Sequence, residues 1–287
     1  MSAFFDRIKD LSRDRLALLA AELQQTVERS RASARQPVAI VGAAGRYPGA
    51  PTLDAFWSQL RGSRRAIGPA PAPRWPREVA HGARFDDAAR RATTHGAYLA
   101  DIDLFDAEFF GVSDRDAVAL DPQQRALLEV TWHAFEDAGR VPDPARGLPA
   151  GVFVGVSTSD YADALSRSGT DWGGTLSRGT SHSLAAGRLS YALGLRGPSL
   201  AVDTACSSSL VAVHLACRSL RAGECDLAVA AGVNLIMSPL ITVDLAQVGL
   251  LSPSAAVPRI TARTRSPSRR ASSSRFRISA PQPSPRT

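Results

Sequence analysis

Apolar and polar positions alternate along the middle of the chain in segments that predict strands and helices in turn. Short apolar runs predict strands at 38–41, 152–156, 199–203 and 227–233. Longer segments with apolar residues at helical spacing predict helices at 121–139, 183–193 and 206–220. Strands that alternate with helices are typical of an α/β layered fold with a largely buried sheet.

Helix-capping residues predict the ends of two of these helices. Asp121 is a good N-cap, and Pro122 is favoured at the first helical position. Gly139 and Gly194 are expected to end the helices before them, because glycine readily adopts the left-handed conformation of a helix C-terminus.

A separate amphipathic helix is predicted before the alternating segments. Its apolar positions recur at helical spacing at Leu16, Leu19, Leu23 and Val27. A polar linker follows at 30–36, so residues 1–35 form a segment of their own. This segment either caps the domain or docks onto another protein, and the sequence leaves both interpretations open.

The C-terminal segment has a different composition. Of residues 252–287, 23 of 36 are Ser, Pro or Arg and none is Leu, so the tail at 254–287 is predicted to be disordered. It carries eight arginines and no acid, which leaves the rest of the chain with a net charge of −1. A rival interpretation is nucleic-acid binding through this tail, with steep salt dependence. Its one aromatic residue, Phe276, makes base stacking poor, so a nucleic-acid partner is not expected.

Cysteine usage and hydropathy indicate a cytoplasmic protein. Cys206, Cys217 and Cys225 are too few and too unevenly spaced for a disulfide framework, and their spacings fit no zinc site. The first ten residues hold no apolar signal core, and no apolar run reaches the about 18 residues of a membrane span. Gly42–Gly45 lacks the order of a dinucleotide fingerprint, and neither a Walker loop nor a Gly-x-Ser-x-Gly elbow occurs.

Cys206 is the candidate reactive residue, because it lies between the end of a predicted strand and the start of a predicted helix. Unpaired N–H groups and the dipole at a helix start favour a thiolate, and the same turn can aim N–H groups at a thioester oxygen. The following helix is apolar on nearly every side, so we expect it to be buried and Cys206 to lie at the floor of a pocket. The alternative is a small core residue without a chemical role.

Short segments along the chain match one family in order. They are Val38–Gly42, Arg46–Gly49, Phe56-Trp57, Arg74-Trp75, Phe105–Gly111, Asp121–Arg125, His182–Tyr191, Gly197–Ser199, Asp203–Ser209 and Gly249–Pro253. In this order they resemble the β-ketoacyl synthase domain of modular type I polyketide synthases, and the resemblance covers residues 36–253.

The resemblance implies the N-terminal half of a thiolase-like αβαβα fold, in a protein that works as a homodimer with the strand before Cys206 near the dimer axis. It implies that Cys206 accepts an acyl chain from the phosphopantetheine arm of an acyl carrier protein, with no directly bound cofactor or metal. A malonyl-type extender on a second carrier is then decarboxylated, and its enolate attacks the acyl-Cys.

The resemblance also implies two catalytic histidines in segments reading roughly His-Gly-Thr-Gly-Thr and Gly-His, and the sequence contains neither segment. Its histidines are His81, His95, His133, His182 and His214. His214 stands eight residues along the helix from Cys206, about 12 Å away, and is expected to be a core or interface residue. His133 is expected to be structural, and His182 to form a local hydrogen bond.

Two expectations follow from the missing histidine segments. This chain alone is expected not to catalyse condensation, and the alternative function is a catalytically inactive fragment that only dimerises or docks. The abrupt change after Pro253 suggests a shifted reading frame near codon 253, with the tail at 254–287 as its product. A sheet without all its strands is expected to leave an exposed, aggregation-prone edge.

Overall fold

The structure is a computed structural model that describes residues 8–9, 11–34, 36–71, 74 and 94–251. The helices are α1 (Arg13–Ala34), α2 (Leu53–Arg61), α3 (Asp114–Ala119), α4 (Pro122–Asp137), α5 (Asp160–Arg167), α6 (Thr175–Thr180), α7 (His182–Leu193), α8 (Ser208–Ala222) and α9 (Leu240–Gln247). The strands are β1 (Gly68–Pro69), β2 (His95–Gly96), β3 (Ala150–Gly155), β4 (Ser199–Val202) and β5 (Leu227–Gly232). The predicted tail at 254–287 lies outside the described residues.

Three parallel strands form the sheet that positions the site. β3 is central, with β4 on one side and β5 on the other. Val152 pairs with Ser199 of β4 and with Val229 of β5. Every residue of β3 is buried, as expected for a central parallel strand that reads as one apolar run. Parallel neighbours need crossover connections, which α5 to α7 and α8 supply.

The two faces of β3 pack against different helices, so the sheet lies between two helical layers. Successive side chains of a strand point to opposite faces. Val152 and Val154 lie in the larger core with residues of α4 and α7. Phe153 points the other way and packs with Ala212 and Ala216 of α8. The predicted α/β layered fold is thereby confirmed.

The predicted helix ends are confirmed in α4 and α7. The Asp121 carboxylate accepts a hydrogen bond from the Gln123 backbone N–H at 2.8 Å, and Pro122 is the first helical residue. Gly139 and Gly194 both have positive φ angles, 63° and 66°, which is the left-handed conformation expected of a glycine that ends a helix.

The predicted N-terminal helix is also present as α1. Its side chains at Leu18, Leu23 and Val27 are exposed, and the helix contacts α8. Whether it docks onto another protein stays a prediction. Within the described residues, no helix has both the length and the apolar character of a membrane span.

The predicted strand at 38–41 is wrong. The segment makes no strand pairing among the described residues, and the side chain of Ile40 is 88% exposed. A strand needs a partner for its backbone hydrogen bonds, and local apolar character cannot supply one. The segment is instead held at its two ends: the Gln36 carbonyl accepts from Arg221 Nε at 3.0 Å, and the Ala43 N–H donates to the Asp137 carboxylate at 2.9 Å.

The expectation that α8 is buried on nearly every side is also wrong. Its buried residues lie along one face of the helix, at Ser208, Ala212, Ala216 and Ser219. Leu210 is 74% exposed, and Val213 is exposed as well. The sheet covers one side of the helix only, and residues three and four apart share that side.

Glycines at the ends of two strands let the first turn of α8 lie directly on the sheet. A Cβ added at Gly155 would stand 2.6 Å from the Ser209 nitrogen and 2.7 Å from the Ser208 carbonyl carbon. A Cβ added at Gly232 would stand 2.6 Å from Ser209 Cβ. The start of α8 can approach the strand ends this closely only because these positions lack side chains.

Gly155→Ala is therefore expected to destabilise the protein. The new methyl group meets backbone atoms of α8, so the free energy of unfolding should fall by about 1–3 kcal/mol or more. Urea unfolding followed by circular dichroism measures it. Gly187→Ala in α7 is the matched control, because its Cβ meets nothing within 4 Å. Equal midpoints for Gly155→Ala and the unmodified chain would contradict the proposed packing.

Candidate active site

Cys206 lies in a strained turn between β4 and α8. Residues Ala205–Ser207 form one turn of 3-10 helix directly before α8. Ala205 has a φ angle of 53°, a left-handed conformation that costs a non-glycine residue about 1–3 kcal/mol. Such conformations persist only where the surrounding structure imposes them, and they are often found at active sites.

Hydrogen bonds from three side chains hold this turn. Asp203 Oδ1 accepts from the Ala205 N–H at 3.0 Å. Ser208 Oγ accepts from the Thr204 N–H at 2.9 Å and donates to the Ala205 carbonyl at 2.7 Å. Ser207 Oγ donates to the Thr204 carbonyl at 2.9 Å. The conformation of the chain on both sides of Cys206 is therefore fixed by short-range polar contacts.

The backbone N–H of Cys206 is left available by this arrangement. Among the described residues no hydrogen bond takes it up, while the N–H groups of Ala205, Ser207 and Ser208 are all engaged within the turn. A free N–H beside a nucleophile at the start of a helix can donate to a developing oxyanion. The turn lies at the carboxyl end of a parallel strand, where ligands bind in open α/β sheets.

The expectation that Cys206 lies at the floor of a pocket is wrong, because the residue is exposed. β4 is an edge strand of the described sheet, and the described residues leave the outer face of the first turn of α8 uncovered. A cleft does lie beside the turn. It is lined by Val156, His182, Ser183, Ser199, Leu200, Ala201, Val202 and Asp203. Asp203 is the lining residue that lies nearest to Cys206 in the sequence, three residues before it, and Cys206 itself does not line the cleft.

A buried polar network supports the loops around the cleft. The side chain of Gln123 is only 1% exposed, and its amide nitrogen donates to the Thr158 carbonyl at 3.0 Å. Its amide oxygen accepts from Thr158 Oγ1 at 3.1 Å and from the Leu235 N–H at 3.3 Å. One side chain thereby joins the start of α4 to the loops that follow β3 and β5.

His182 extends this network to the cleft. Its Nε2 lies 3.0 Å from the Thr158 carbonyl and 3.3 Å from Ser159 Oγ. The expectation of a local hydrogen bond is therefore wrong, because these partners stand 24 and 23 residues earlier in the chain. The fold brings them together because the loop after β3 and the start of α7 meet at the same end of the sheet.

The other histidines that the structure describes do not join the site. His81 lies outside the described residues. His95 is exposed on β2, with Nδ1 2.8 Å from Thr94 Oγ1. His133 and His214 are exposed on α4 and α8, so a core position for His214 is wrong. Among the five histidines of the sequence, the structure places His182 at the cleft.

Sequence reasoning missed the roles of Gln123 and Arg125. Arg125 is buried, with Nε donating to the Leu120 carbonyl at 2.8 Å and Nη1 to the Asp103 carbonyl at 3.2 Å. Both residues belong to the matched segment Asp121–Arg125, but its composition resembles that of a solvated helix start. The one available signal was a run of polar residues inside an otherwise apolar helix.

Comparisons with known proteins identify the family. The model of the β-ketoacyl synthase N-terminal domain matches residues 35–263. This chain belongs to the β-ketoacyl synthase family. One polypeptide of the phenolphthiocerol/phthiocerol polyketide synthase of Mycobacterium tuberculosis is 43% identical over 254 residues, which is 88% of this chain and 14% of the relative. Another polypeptide of the same synthase is 48% identical over 231 residues, which is 78% of this chain and 12% of the relative.

Solved ketosynthases support the same assignment. The oxazolomycin ketosynthase domain of Streptomyces albus aligns with a TM-score of 0.64 at 41% identity, over 75% of this chain and 37% of that chain. The ketosynthase from module 6 of the bacillaene synthase of Bacillus subtilis aligns with a TM-score of 0.62 at 35% identity, over 75% and 34%. The thiolase-like fold is confirmed, and the ketosynthase interpretation is favoured over an inactive fragment. The predicted frame shift near codon 253 stays a prediction.

Thiol labelling should distinguish the three cysteines of this ketosynthase chain. Cys206 is exposed, Cys217 is half-buried and Cys225 is buried. We expect N-ethylmaleimide to modify Cys206 first and Cys225 at least about tenfold more slowly, because a buried thiol reacts only after local opening. Peptide mass spectrometry at timed intervals measures the order. Unfolded protein serves as the control, and equal rates in the folded protein would count against the observed turn.

We expect the Asp121 carboxyl to make the free energy of unfolding depend on pH. Burial raises its pKa, and this outweighs the hydrogen bonds from Gln123 that lower it. A carboxyl with a raised pKa retains its proton longer in the folded than in the unfolded state, so the free energy of unfolding falls as the pH rises above about 4. Asp121→Asn keeps an acceptor for the Gln123 N–H and should reduce this fall. Urea unfolding at a series of pH values measures both slopes, and identical slopes would refute the assignment.

Proposed function

We propose that this chain carries the acyl-accepting part of a polyketide β-ketoacyl synthase, with Cys206 as the nucleophile. The observation that carries the proposal is the turn itself. Cys206 stands in a strained, hydrogen-bonded turn at the carboxyl end of a parallel strand, with its own N–H free, directly before a 15-residue helix. The family and the polyketide synthase relatives supply the reaction class.

The first step of this function is transfer of an acyl group to sulfur. The Cys206 thiolate attacks the carbonyl carbon of an acyl thioester on the phosphopantetheine arm of an acyl carrier protein. The resulting oxyanion accepts a hydrogen bond from the Cys206 N–H, and the positive end of the α8 dipole favours its charge. The C–S bond to the arm then breaks, its thiolate takes up a proton, and the acyl group remains on Cys206.

The second step is condensation with a malonyl-type extender on a second carrier. Loss of CO2 leaves an enolate whose carbon attacks the acyl-Cys206 carbonyl, and the Cys206 thiolate is released. Charge on the enolate oxygen needs aimed donors. The resemblance assigns those donors to two histidine segments, and the 287 residues contain neither. On its own the chain is therefore expected to stop at acyl-Cys206.

The proposal includes partners. The acyl carrier protein delivers both substrates, and no cofactor is bound directly. A homodimer through β4 agrees with the edge position of this strand, with its exposed residue Leu200 and with the exposed Tyr191 on α7. Exposed leucines on α1 support docking of residues 1–35 onto an upstream synthase subunit. A cytoplasmic location belongs to the same proposal.

Acyl transfer to Cys206 is directly measurable. We expect the purified chain to gain the mass of one acyl group when it is incubated with an acyl carrier protein that bears hexanoyl-phosphopantetheine. Cys206→Ser should reduce the rate by about a hundredfold or more, because a hydroxyl is a far weaker nucleophile than a thiolate. Intact-protein mass spectrometry measures the transfer.

Cys217→Ser is the matched control, since it replaces a thiol in α8, the helix that follows the turn, and should leave the transfer unchanged. Acylation that persists on Cys206→Ser, or that maps to Cys217, would overturn the assignment.

A further inference from the structure

Ser208 is the buried residue directly after the turn that carries Cys206. It is 6% exposed, whereas every residue from Asp203 to Ser207 is exposed. A Cβ added at Gly155 would stand 2.7 Å from the Ser208 carbonyl carbon, so α8 begins directly against the sheet at this residue. The hydroxyl of Ser208 therefore lies beneath the turn, on the side that faces the interior of the protein.

The donors of Ser208 converge on one backbone carbonyl of the turn. Ser208 Oγ donates to the Ala205 carbonyl at 2.7 Å, and the Ser208 N–H donates to the same oxygen. Ser208 Oγ also accepts from the Thr204 N–H at 2.9 Å, so it joins the chain that leaves β4 to the start of α8. The Ala205 carbonyl is thereby held from the buried side.

The Ala205 carbonyl and the Cys206 N–H belong to one peptide unit. A trans peptide unit is planar, and its C=O and N–H point to opposite sides of the chain. Donors that hold the carbonyl on the buried side therefore direct the Cys206 N–H to the exposed side. In agreement with this, no hydrogen bond among the described residues takes up that N–H.

The conformation of Ala205 opposes this arrangement. Its φ angle of 53° lies in the left-handed region, which residues other than glycine adopt only rarely. Rotation of Ala205 towards an ordinary conformation would turn the peptide unit that follows it and move the Cys206 N–H. The hydrogen bonds from Ser208 resist that rotation, because it would separate the carbonyl from both of its donors.

On the basis of the proposed function, we propose that Ser208 is a positioning residue that aims the Cys206 N–H at the oxyanion formed during acyl transfer. It acts through the peptide unit between Ala205 and Cys206. A donor stabilises an oxyanion best when its direction is fixed before the charge develops. Reactions of the Cys206 thiol that form no oxyanion therefore do not depend on Ser208.

The test compares two reactions of Cys206 in Ser208→Ala. Acyl transfer from a hexanoyl acyl carrier protein forms an oxyanion, whereas alkylation by iodoacetamide forms a carbon–sulfur bond as iodide leaves and forms none. We expect acyl transfer to slow about tenfold, because the backbone N–H of residue 208 still holds the carbonyl in part. The alkylation rate should change less than about twofold, because it follows the exposure and ionisation of the thiol. Mass spectrometry measures both rates, and slow alkylation of the buried Cys225 reports folded protein.

Two further variants act on Ala205 instead. Ala205→Gly, added to Ser208→Ala, should restore acyl transfer to within about threefold, because glycine adopts a positive φ angle without steric cost. Ala205→Val leaves Ser208 in place and should slow acyl transfer alone, because a β-branched residue resists a positive φ angle. Ser209→Ala is the matched control, since it removes an exposed hydroxyl that makes no hydrogen bond among the described residues, and it should keep both rates.

Each outcome bears on a different part of the proposal. Slower acyl transfer with unchanged alkylation in Ser208→Ala, and its recovery with Ala205→Gly, support positioning by Ser208. Unchanged acyl transfer in that variant overturns the inference, and so does an equal fall in both reactions. Absence of acyl transfer to the unmodified chain refutes the proposed function itself, and the inference falls with it.

Discussion

The site depends on the close approach of the first turn of α8 to the sheet. That approach needs strand ends without side chains at Gly155 and Gly232, where a Cβ would overlap Ser208 and Ser209. Once the helix start is fixed there, the chain leaving β4 has few residues in which to reach it. The left-handed φ at Ala205 and the hydrogen bonds through Ser208 follow from that short connection. Backbone strain beside Cys206 is thus a consequence of how a helix packs on glycine.

The same end of the sheet carries loops whose backbone groups no strand can pair. The side-chain amide of Gln123 pairs some of these groups. Its nitrogen donates to the loop after β3, and its oxygen accepts from that loop and from the loop after β5. The arrangement requires a polar helix start inside the protein, and the raised pKa of the Asp121 carboxyl reflects the resulting desolvation. His182, which lines the cleft, is oriented by the same carbonyl, so the loops and the cleft share one hydrogen-bond network.

Sequence patterns correctly predicted the features that interactions between neighbouring residues determine. Asp121-Pro122 and Gly194 marked helix ends correctly, because capping is decided by neighbouring residues. The segment at 38–41 looks like a strand, but strand formation needs a partner, and partners are set by tertiary structure. Helices as short as α3 and α6 gave no periodic signal. The exposure of Cys206 was missed because apolar residues around α8 were read as buried on all sides, whereas the sheet covers one.

That exposure limits the chemistry that the described residues can perform. In the proposed function, the Cys206 thiol, its free N–H and the start of α8 lie together at the turn, and these are the groups that formation of the acyl-enzyme uses. Condensation differs, because the enolate is consumed by any proton donor and water reaches an open cleft. Productive carbon–carbon bond formation requires water to be excluded from the acyl-Cys. Leu210 and Val213, exposed beside the turn on α8, form an apolar rim suited to a covering surface. Acyl transfer, which needs little enclosure, can therefore take place at an open site. Condensation requires a site that is closed to water.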